Sequence, residues 1–312
     1  MEGWVWLGAD QAAQTPPPGL KPACLMFCCL VNGQVCSTVD CQDRGLAYGD
    51  GVFTSVAVQN KQACLWRLHH RRLQRDCEKL KIAFGAWSKL QREVLSLAAG
   101  ANTATMKVII TRGKGKRGYR PPPSSETGPT RIVMIHSQKP ALFSEQAPAH
   151  LTLCRHRLPH TPALAGVKHL NRLDQILARS EWQDEYQEGL MLDDQGAVVE
   201  GTMSNIFIWH DGVLLTPPID HCGVAGVMRE YILERAITHN VPCAQKKLCP
   251  DDFDAAEGAF LCNAVAGIRM IGQIDGRALP INKNLVSFTD KLIRDLWVEC
   301  TNDAQRPVPK SV

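Results

Sequence analysis

The chain has 312 residues, with 35 Lys and Arg against 31 Asp and Glu, for a formal charge of +4 with histidine neutral. So small an excess argues against a protein built around nucleic acid or an anionic membrane surface, and any preference for anions must be local. Hydrophobic residues at 45% and charged residues at 21% fit a soluble globular chain long enough for two modest α/β units, and no apolar run reaches the length of a membrane-spanning helix.

In chain order, residues 1–25 stand apart: they carry Pro16-Pro17-Pro18-Gly19 and no usable periodicity, and we expect a disordered extension or an upstream start codon. The apolar stretch from Ala23 to Val31 mimics a signal-peptide core, but it lacks a small-residue cleavage site and runs into Asn32-Gly33, a hairpin turn. It reads as the first strand. A helix is predicted from Arg67 to Leu80, with Leu73, Cys77 and Leu80 on one face, and a second from Trp87 to Ala99. Strands follow at Met106–Thr111 and Arg131–Ile135, completing a smaller first α/β domain over 26–140.

Between those strands lies Gly113-Lys114-Gly115-Lys116-Arg117-Gly118, literally the Gly-x-Gly-x-x-Gly spacing of a dinucleotide site. Pro121-Pro122-Pro123 cannot open the helix such a site needs, because prolines remove donors and force extended backbone. The loop's basic residues lack the interleaved aromatics of a nucleic-acid platform.

The second domain, 141–300, alternates strands and helices. An amphipathic helix is expected after Lys168, with Leu173, Ile176, Leu177 and Ser180 on one stripe. The turn Asp193-Asp194-Gln195-Gly196 precedes a short β-branched run that Glu200 closes, and Ile206–Trp209 forms the next strand. Helices are expected from Met228 to Ala236 and from Leu285 to Trp297, and residues 301–312 read as a disordered tail. The 13 cysteines are odd in number, scattered from Cys24 to Cys300 and free of Cys-x-x-Cys pairs. They read as reduced small hydrophobes of a cytoplasmic protein, with no metal site.

Two residues carry the chemistry. A lysine able to form a Schiff base, with an acid that holds a protonated pyridine nitrogen, is the minimum equipment for pyridoxal-phosphate chemistry. Lys168 in Gly166-Val167-Lys168-His169-Leu170-Asn171-Arg172-Leu173 and Glu200 in Val198-Val199-Glu200-Gly201-Thr202-Met203-Ser204-Asn205 fit those roles. A helix starting near Lys168 would disfavour its ammonium form.

These segments, with Asp43-Arg44-Gly45-Leu46-Ala47-Tyr48-Gly49-Asp50-Gly51-Val52-Phe53-Thr54, Arg71-Arg72-Leu73, Arg112–Tyr119 and Leu261-Cys262-Asn263-Ala264, resemble the fold-type IV pyridoxal-phosphate enzymes, and among them the aminodeoxychorismate lyases most closely. The resemblance spans about Met26 to Trp297. It implies a two-domain α/β (α+β) fold of the D-amino-acid aminotransferase-like kind, pyridoxal 5'-phosphate as cofactor, a homodimer, and 4-amino-4-deoxychorismate as small-molecule substrate, converted to 4-aminobenzoate and pyruvate. A D-amino-acid or branched-chain aminotransferase on the same fold is the alternative, and a non-catalytic basic binding protein a more remote one.

The resemblance also assigns further contacts. Arg72 matches the arginine that grips the cofactor phosphate, although spacing alone reads it equally as a surface arginine beside Arg71. Gly226, Val227 and Met228 open a helix whose free N–H groups suit that phosphate. Asn263 matches a residue near cofactor and substrate, Lys107 and Thr54 match substrate-side positions, and Arg117 matches the position that faces the substrate carboxylates. Asn263 also reads as a turn residue, and Lys107 as a strand lysine facing solvent. His169 reads as structural.

Overall fold

The computed structural model describes residues 27–123 and 128–302; the extension expected over residues 1–25, and the tail beyond residue 302, lie outside them. The first sheet contains β1 (Phe27–Val31), β2 (Gln34–Val35), β3 (Gly51–Gln59), β4 (Gln62–Ala63), β5 (Thr103–Thr111) and β6 (Thr130–His136). Their order is β2-β1-β6-β5-β3-β4, and every neighbouring pair is antiparallel. A short helix, α1 (Arg44–Tyr48), leads into β3. Strand β5 shows the half-buried alternation plainly: Ala104, Met106, Val108 and Ile110 are buried, whereas Thr105 and Lys107 lie on the other face. The buried set packs on α2 (Trp66–Lys79) through Leu73 and Cys77, and on α3 (Trp87–Ala99) through Leu90 and Val94. Each fully buried leucine there stabilises the fold by about 1.5–3 kcal/mol. The register pairs Ser55 with Lys107, so Phe53 and Ser55 share the second face with Lys107 and Thr105.

The second sheet runs β12-β11-β10-β13-β14-β7-β8-β9, with a ninth strand, β15, on β14. In chain order its strands are β7 (Ala149–Leu158), β8 (Glu188–Asp193), β9 (Val198–Gly201), β10 (Asn205–His210), β11 (Val213–Thr216), β12 (Cys243–Gln245), β13 (Gly258–Asn263), β14 (Gly267–Ile274) and β15 (Arg277–Ala278). Parallel pairs join β11 to β12, β14 to β7 and β7 to β8, and the remaining pairs are antiparallel. The Val198 N–H donates to the Leu248 carbonyl at 2.8 Å, just beyond β12, so the two ends of the sheet meet and it curls on itself.

The first sheet ends at His136 and the second begins at Ala149, so the expected boundary near residue 140 falls in the segment between them. A hydrophobic core bridges the two sides. Leu65 and Leu68 of α2 pack with Val227, Met228 and Ile232 of α5 (Val227–Thr238) and with Phe288 of α6 (Lys283–Asn302). On the outer side of that contact, Arg71 reaches Glu230 at 2.5 Å and Glu234 at 2.6 Å. These partners account for Arg71 and leave Arg72, one position on, pointing inward.

Two expectations change. Helix α6 runs to Asn302, so Thr301, expected to open a disordered tail, is still helical. The stripe expected to be the core face of α4 (Leu173–Arg179) turns outward, with Leu173, Ile176 and Leu177 exposed at 70%, 57% and 54%. The periodicity is real, but α4 is two turns long and presents Ala178, not the stripe, to the protein interior.

Candidate active site

A cavity of about 420 Å³ lies between the two sheets and is lined by Lys168, Glu200, Arg72, Asn263 and the residues that open α5. Its size suits a bound small molecule. Lys168 stands on an extended segment five residues before α4, so the nearby helix mouth expected from the sequence is not what surrounds it. Backbone bonds stitch the segment to both sides: Phe53 N–H donates to the Lys168 carbonyl at 3.0 Å, Leu170 N–H to that of Gly51 at 3.0 Å, and Gly166 N–H to that of Gly223 at 2.9 Å. Asp76 accepts from the Lys168 N–H at 3.0 Å.

The Lys168 ammonium position lies 4.6 Å from the Phe53 ring centroid, and Lys107 Nζ lies 5.0 Å from the same ring. The β5 lysine is therefore brought to the site's edge. Burial, followed by the charges of Arg72 and Arg172, holds the Lys168 amine down to about 7, with Glu200 opposing. Desolvation is the leading cause, in place of the helix end invoked from the sequence.

Glu200 sits on β9 and is buried. One carboxylate oxygen accepts from the Val224 N–H at 2.8 Å, and the other receives a long bond of 3.4 Å from Gln175. Burial pushes its carboxyl above the usual range, against the pull of the Val224 N–H, Arg172 and Lys168. A buried carboxylate of this kind suits a protonated ring nitrogen, whose charge would offset its lost hydration.

Arg72 is likewise buried, and burial brings its guanidinium down to about 10, still cationic at neutral pH. Its Nη2 donates to the Thr54 hydroxyl, and Thr54 Oγ1 lies 2.6 Å from His69 Nδ1. Burial keeps His69 neutral, with a pKa well below the ordinary histidine value. Thr54 thus links the Arg72 guanidinium to the His69 ring. The Nε of Arg72 is buried with no partner among the described residues.

Opposite, α5 begins at Gly226 with no side-chain cap, leaving its first N–H groups to the cavity. A Cβ at Gly226 would lie 2.0 Å from Asn205 Oδ1, so only glycine permits this close approach. An orphaned guanidinium nitrogen facing a helix N-terminus, with a lysine amine and a buried carboxylate beyond, fits pyridoxal phosphate by the chemistry of its ends. Arg72, Val227 and Met228 suit the phosphate, Lys168 the aldehyde carbon and Glu200 the ring nitrogen. Met228 brings a backbone N–H and no hydroxyl.

Asn263 lines the cavity at the end of β13, but its Oδ1 accepts from the N–H groups of Val265 at 2.9 Å and Ala266 at 2.6 Å, which leaves its amide nitrogen for the site. The turn reading of Asn263 holds, and the residue also lines the cavity. Thr54 departs from expectation: it is fully buried behind Arg72, and strand alternation brings Phe53 and Ser55 to the cavity instead.

Arg117 lies on an exposed loop outside the cavity lining. That loop is anchored by Arg44, which donates to the carbonyls of Gly118 and Tyr119 at 3.1 Å each, and Gly118 N–H donates to the Tyr48 hydroxyl at 3.3 Å. Arg44 and Arg112 in turn both bind Asp50 at 2.8 Å. Among the described residues that follow the Gly-x-Gly-x-x-Gly segment, 119–123 and 128–129, none is helical, as the prolines require.

The structure adds Arg172 and Gln175 to the lining, together with Asn205, whose Nδ2 donates to the Val224 carbonyl at 2.9 Å. Arg172 stands within the Lys168 motif, yet nothing in its spacing distinguishes it from the solvated Arg179. Among the described residues the cysteines form no disulfide.

Comparison with known proteins agrees with this geometry. The family described as amino-transferase class IV matches residues 51–274. An aminodeoxychorismate lyase of Vibrio harveyi is 32% identical over 256 residues, covering 81% of this chain and 92% of the relative. The crystal structure of 4-amino-4-deoxychorismate lyase from Pseudomonas aeruginosa is similar with a TM-score of 0.80 and 40% identity, covering 86% of this chain and 99% of that one. A hypothetical aminotransferase from Mycobacterium tuberculosis in a PLP-bound form shares the fold, at a TM-score of 0.74 and 21% identity over 87% of this chain and 99% of that chain.

Proposed function

The chain belongs to the amino-transferase class IV family, and from that premise we propose that it is a pyridoxal-phosphate-dependent lyase converting 4-amino-4-deoxychorismate to 4-aminobenzoate, a folate precursor, and pyruvate. The observation that carries the reading is the grouping of Lys168, Glu200, Arg72 and the α5 N-terminus around one cavity, in a chain 40% identical to a lyase of that name over nearly its whole length.

Bound there, pyridoxal phosphate supplies an electron sink for the carbon that bears the substrate amine. The protein's own residues do the rest. Arg72 and the N–H groups of α5 grip the phosphate, and Thr54 and His69 hold the guanidinium in place behind it. Glu200 holds a proton on the ring nitrogen. Lys168, whose amine is substantially neutral near pH 7, takes the proton from the carbon bearing nitrogen through Nζ. Departure of the enolpyruvyl oxygen then leaves an aromatic ring, and a proton returned to the enol carbon gives pyruvate. Asn263 and Lys107 flank the space left for the substrate, and Arg117 is kept as a carboxylate contact from the loop above.

We also infer a homodimer in the cytoplasm. Its support is the apolar face of α4, which stands exposed beside the cavity that Arg172 and Gln175 line, together with cysteines that form no disulfide among the described residues. No helix among the described residues is long and apolar enough to cross a membrane.

Borohydride reduction tests the site. The cofactor should be trapped on the peptide holding Lys168, and Lys168→Ala should purify without the visible band of the wild type and without turnover. Trapping on another lysine would overturn the assignment.

A further inference from the structure

Arg172 is half-buried on the cavity wall that also carries Lys168 and Glu200, and two hydrogen bonds fix it there. Its Nε donates to the His169 carbonyl at 3.0 Å, and its Nη2 donates to His169 Nε2 at 2.6 Å. A guanidinium cannot accept, so His169 Nε2 is the acceptor and the ring proton sits on Nδ1. That Nδ1 is buried beside the Asn171 backbone. Burial, and next the charge of Arg172 itself, lowers His169 to about 4, so the imidazole is neutral at working pH.

The direction in which Arg172 is fixed is informative. It lies three residues before Gln175, on the same side of the first turn of α4, and Gln175 Nε2 donates to Glu200. That end of the helix is thus turned to the Glu200 carboxylate, while Leu173, Ile176 and Leu177 face outward.

We propose that Arg172, clamped by His169, is a positioning residue whose fixed positive charge keeps Glu200 ionised and disfavours a proton on the Lys168 nitrogen; this rests on reading the cavity as the pyridoxal-phosphate site. One cation beside both groups acts on each in the direction catalysis needs, disfavouring a second cation at Lys168 and favouring the anion at Glu200. The charges around the two groups agree. Lys168 is faced by Arg72 from α2, Lys107 from β5, Glu200 from β9 and Arg172, and neutral His69 lies near it. Glu200 is faced by Lys168, Arg172, Gln175 and the Val224 N–H. Arg172 acts on both members of the pair, whereas Arg72 belongs to the phosphate end.

The test uses cofactor-loaded protein and follows the visible absorption band against pH, since its midpoint reports the proton on the Lys168 nitrogen. In Arg172→Met the midpoint should move to higher pH by about one unit, as expected when a nearby unit charge leaves a buried site. The acid limb of kcat/KM should move with it. Arg172→Lys, which keeps the charge, should restore most of the wild-type midpoint. His169→Leu, which removes the ring acceptor, should shift the midpoint in the same direction by less, and it serves if the Met variant fails to fold.

An unchanged midpoint in Arg172→Met or, failing that, in His169→Leu would overturn the proposal. So would a raised KM with the midpoint intact, which would make Arg172 a substrate contact, or a Lys variant that behaves like Met. The band needs no lyase turnover. A protein that binds cofactor yet forms no 4-aminobenzoate would therefore refute the lyase reading while this test remained readable.

Discussion

At the residue scale the account turns on one amine. A free lysine near pH 7 is unprotonated in roughly one molecule in three thousand, whereas an amine held to about 7 is half free. The reactive form is the neutral one, so the rate at which cofactor-free protein takes up the pyridoxal-phosphate aldehyde should rise with pH through a limb near pH 7; a limb above pH 9 would mean that the cavity does not tune Lys168. Linkage has a definite sign here. Between about pH 7 and 10 the unfolded chain holds a proton on this lysine that the folded chain has lost, so this group's contribution to stability grows with pH across that window. Lys168 and Glu200 were singled out because each stands in a distinctive stretch of sequence, and the structure puts both on one cavity; Arg72 came from the resemblance, since spacing alone did not separate it from Arg71. Thr54 was not: Val52, Val56, Ala57 and Val58 are all buried along β3, so alternation cannot be read off hydrophobicity, and the cavity-facing hydroxyl proved to be that of Ser55. His69 is tied to Thr54, fifteen residues away, and Arg172 meets the cavity only through the fold, neither of which local spacing shows.

At the element scale, the long periodic helices α2 and α3 and the alternating strand β5 were readable, because each buries one face against one neighbour. Helix α4 was misread for the complementary reason: an apolar stripe states that something covers it, and not that the same chain does. The loop holding Arg117 gives the sharpest element-level prediction. It is pinned from below by Arg44, Asp50 and Arg112, with Arg117 itself exposed. If Arg117 meets a substrate carboxylate, Arg117→Ala should raise KM and lower kcat/KM about ten- to a hundredfold, for the loss of a charge-assisted contact of roughly 1.5–3 kcal/mol, with the visible band unchanged. Arg120→Ala should be silent. Equal losses at both positions would point to diffuse steering by the basic loop, and no loss at either would remove the carboxylate assignment.

At the scale of the whole molecule, the two sheets and the core that joins them hold Lys168 between β3 and the segment at Gly223, so the site depends on the packing of both halves. The exposed face of α4 predicts a dimer in sedimentation, and replacing Leu173, Ile176 and Leu177 together by Ser should yield monomer; a monomeric wild type would contradict the inferred homodimer. The fold and the cofactor site are shared with aminotransferases, so neither separates the two reactions, and the products do. Incubation of the cofactor-loaded protein with 4-amino-4-deoxychorismate, with no amino acceptor added, should yield 4-aminobenzoate and pyruvate in equal amounts over many turnovers. No 4-aminobenzoate, together with transfer of an amino group between an amino acid and a keto acid, would contradict the lyase reading.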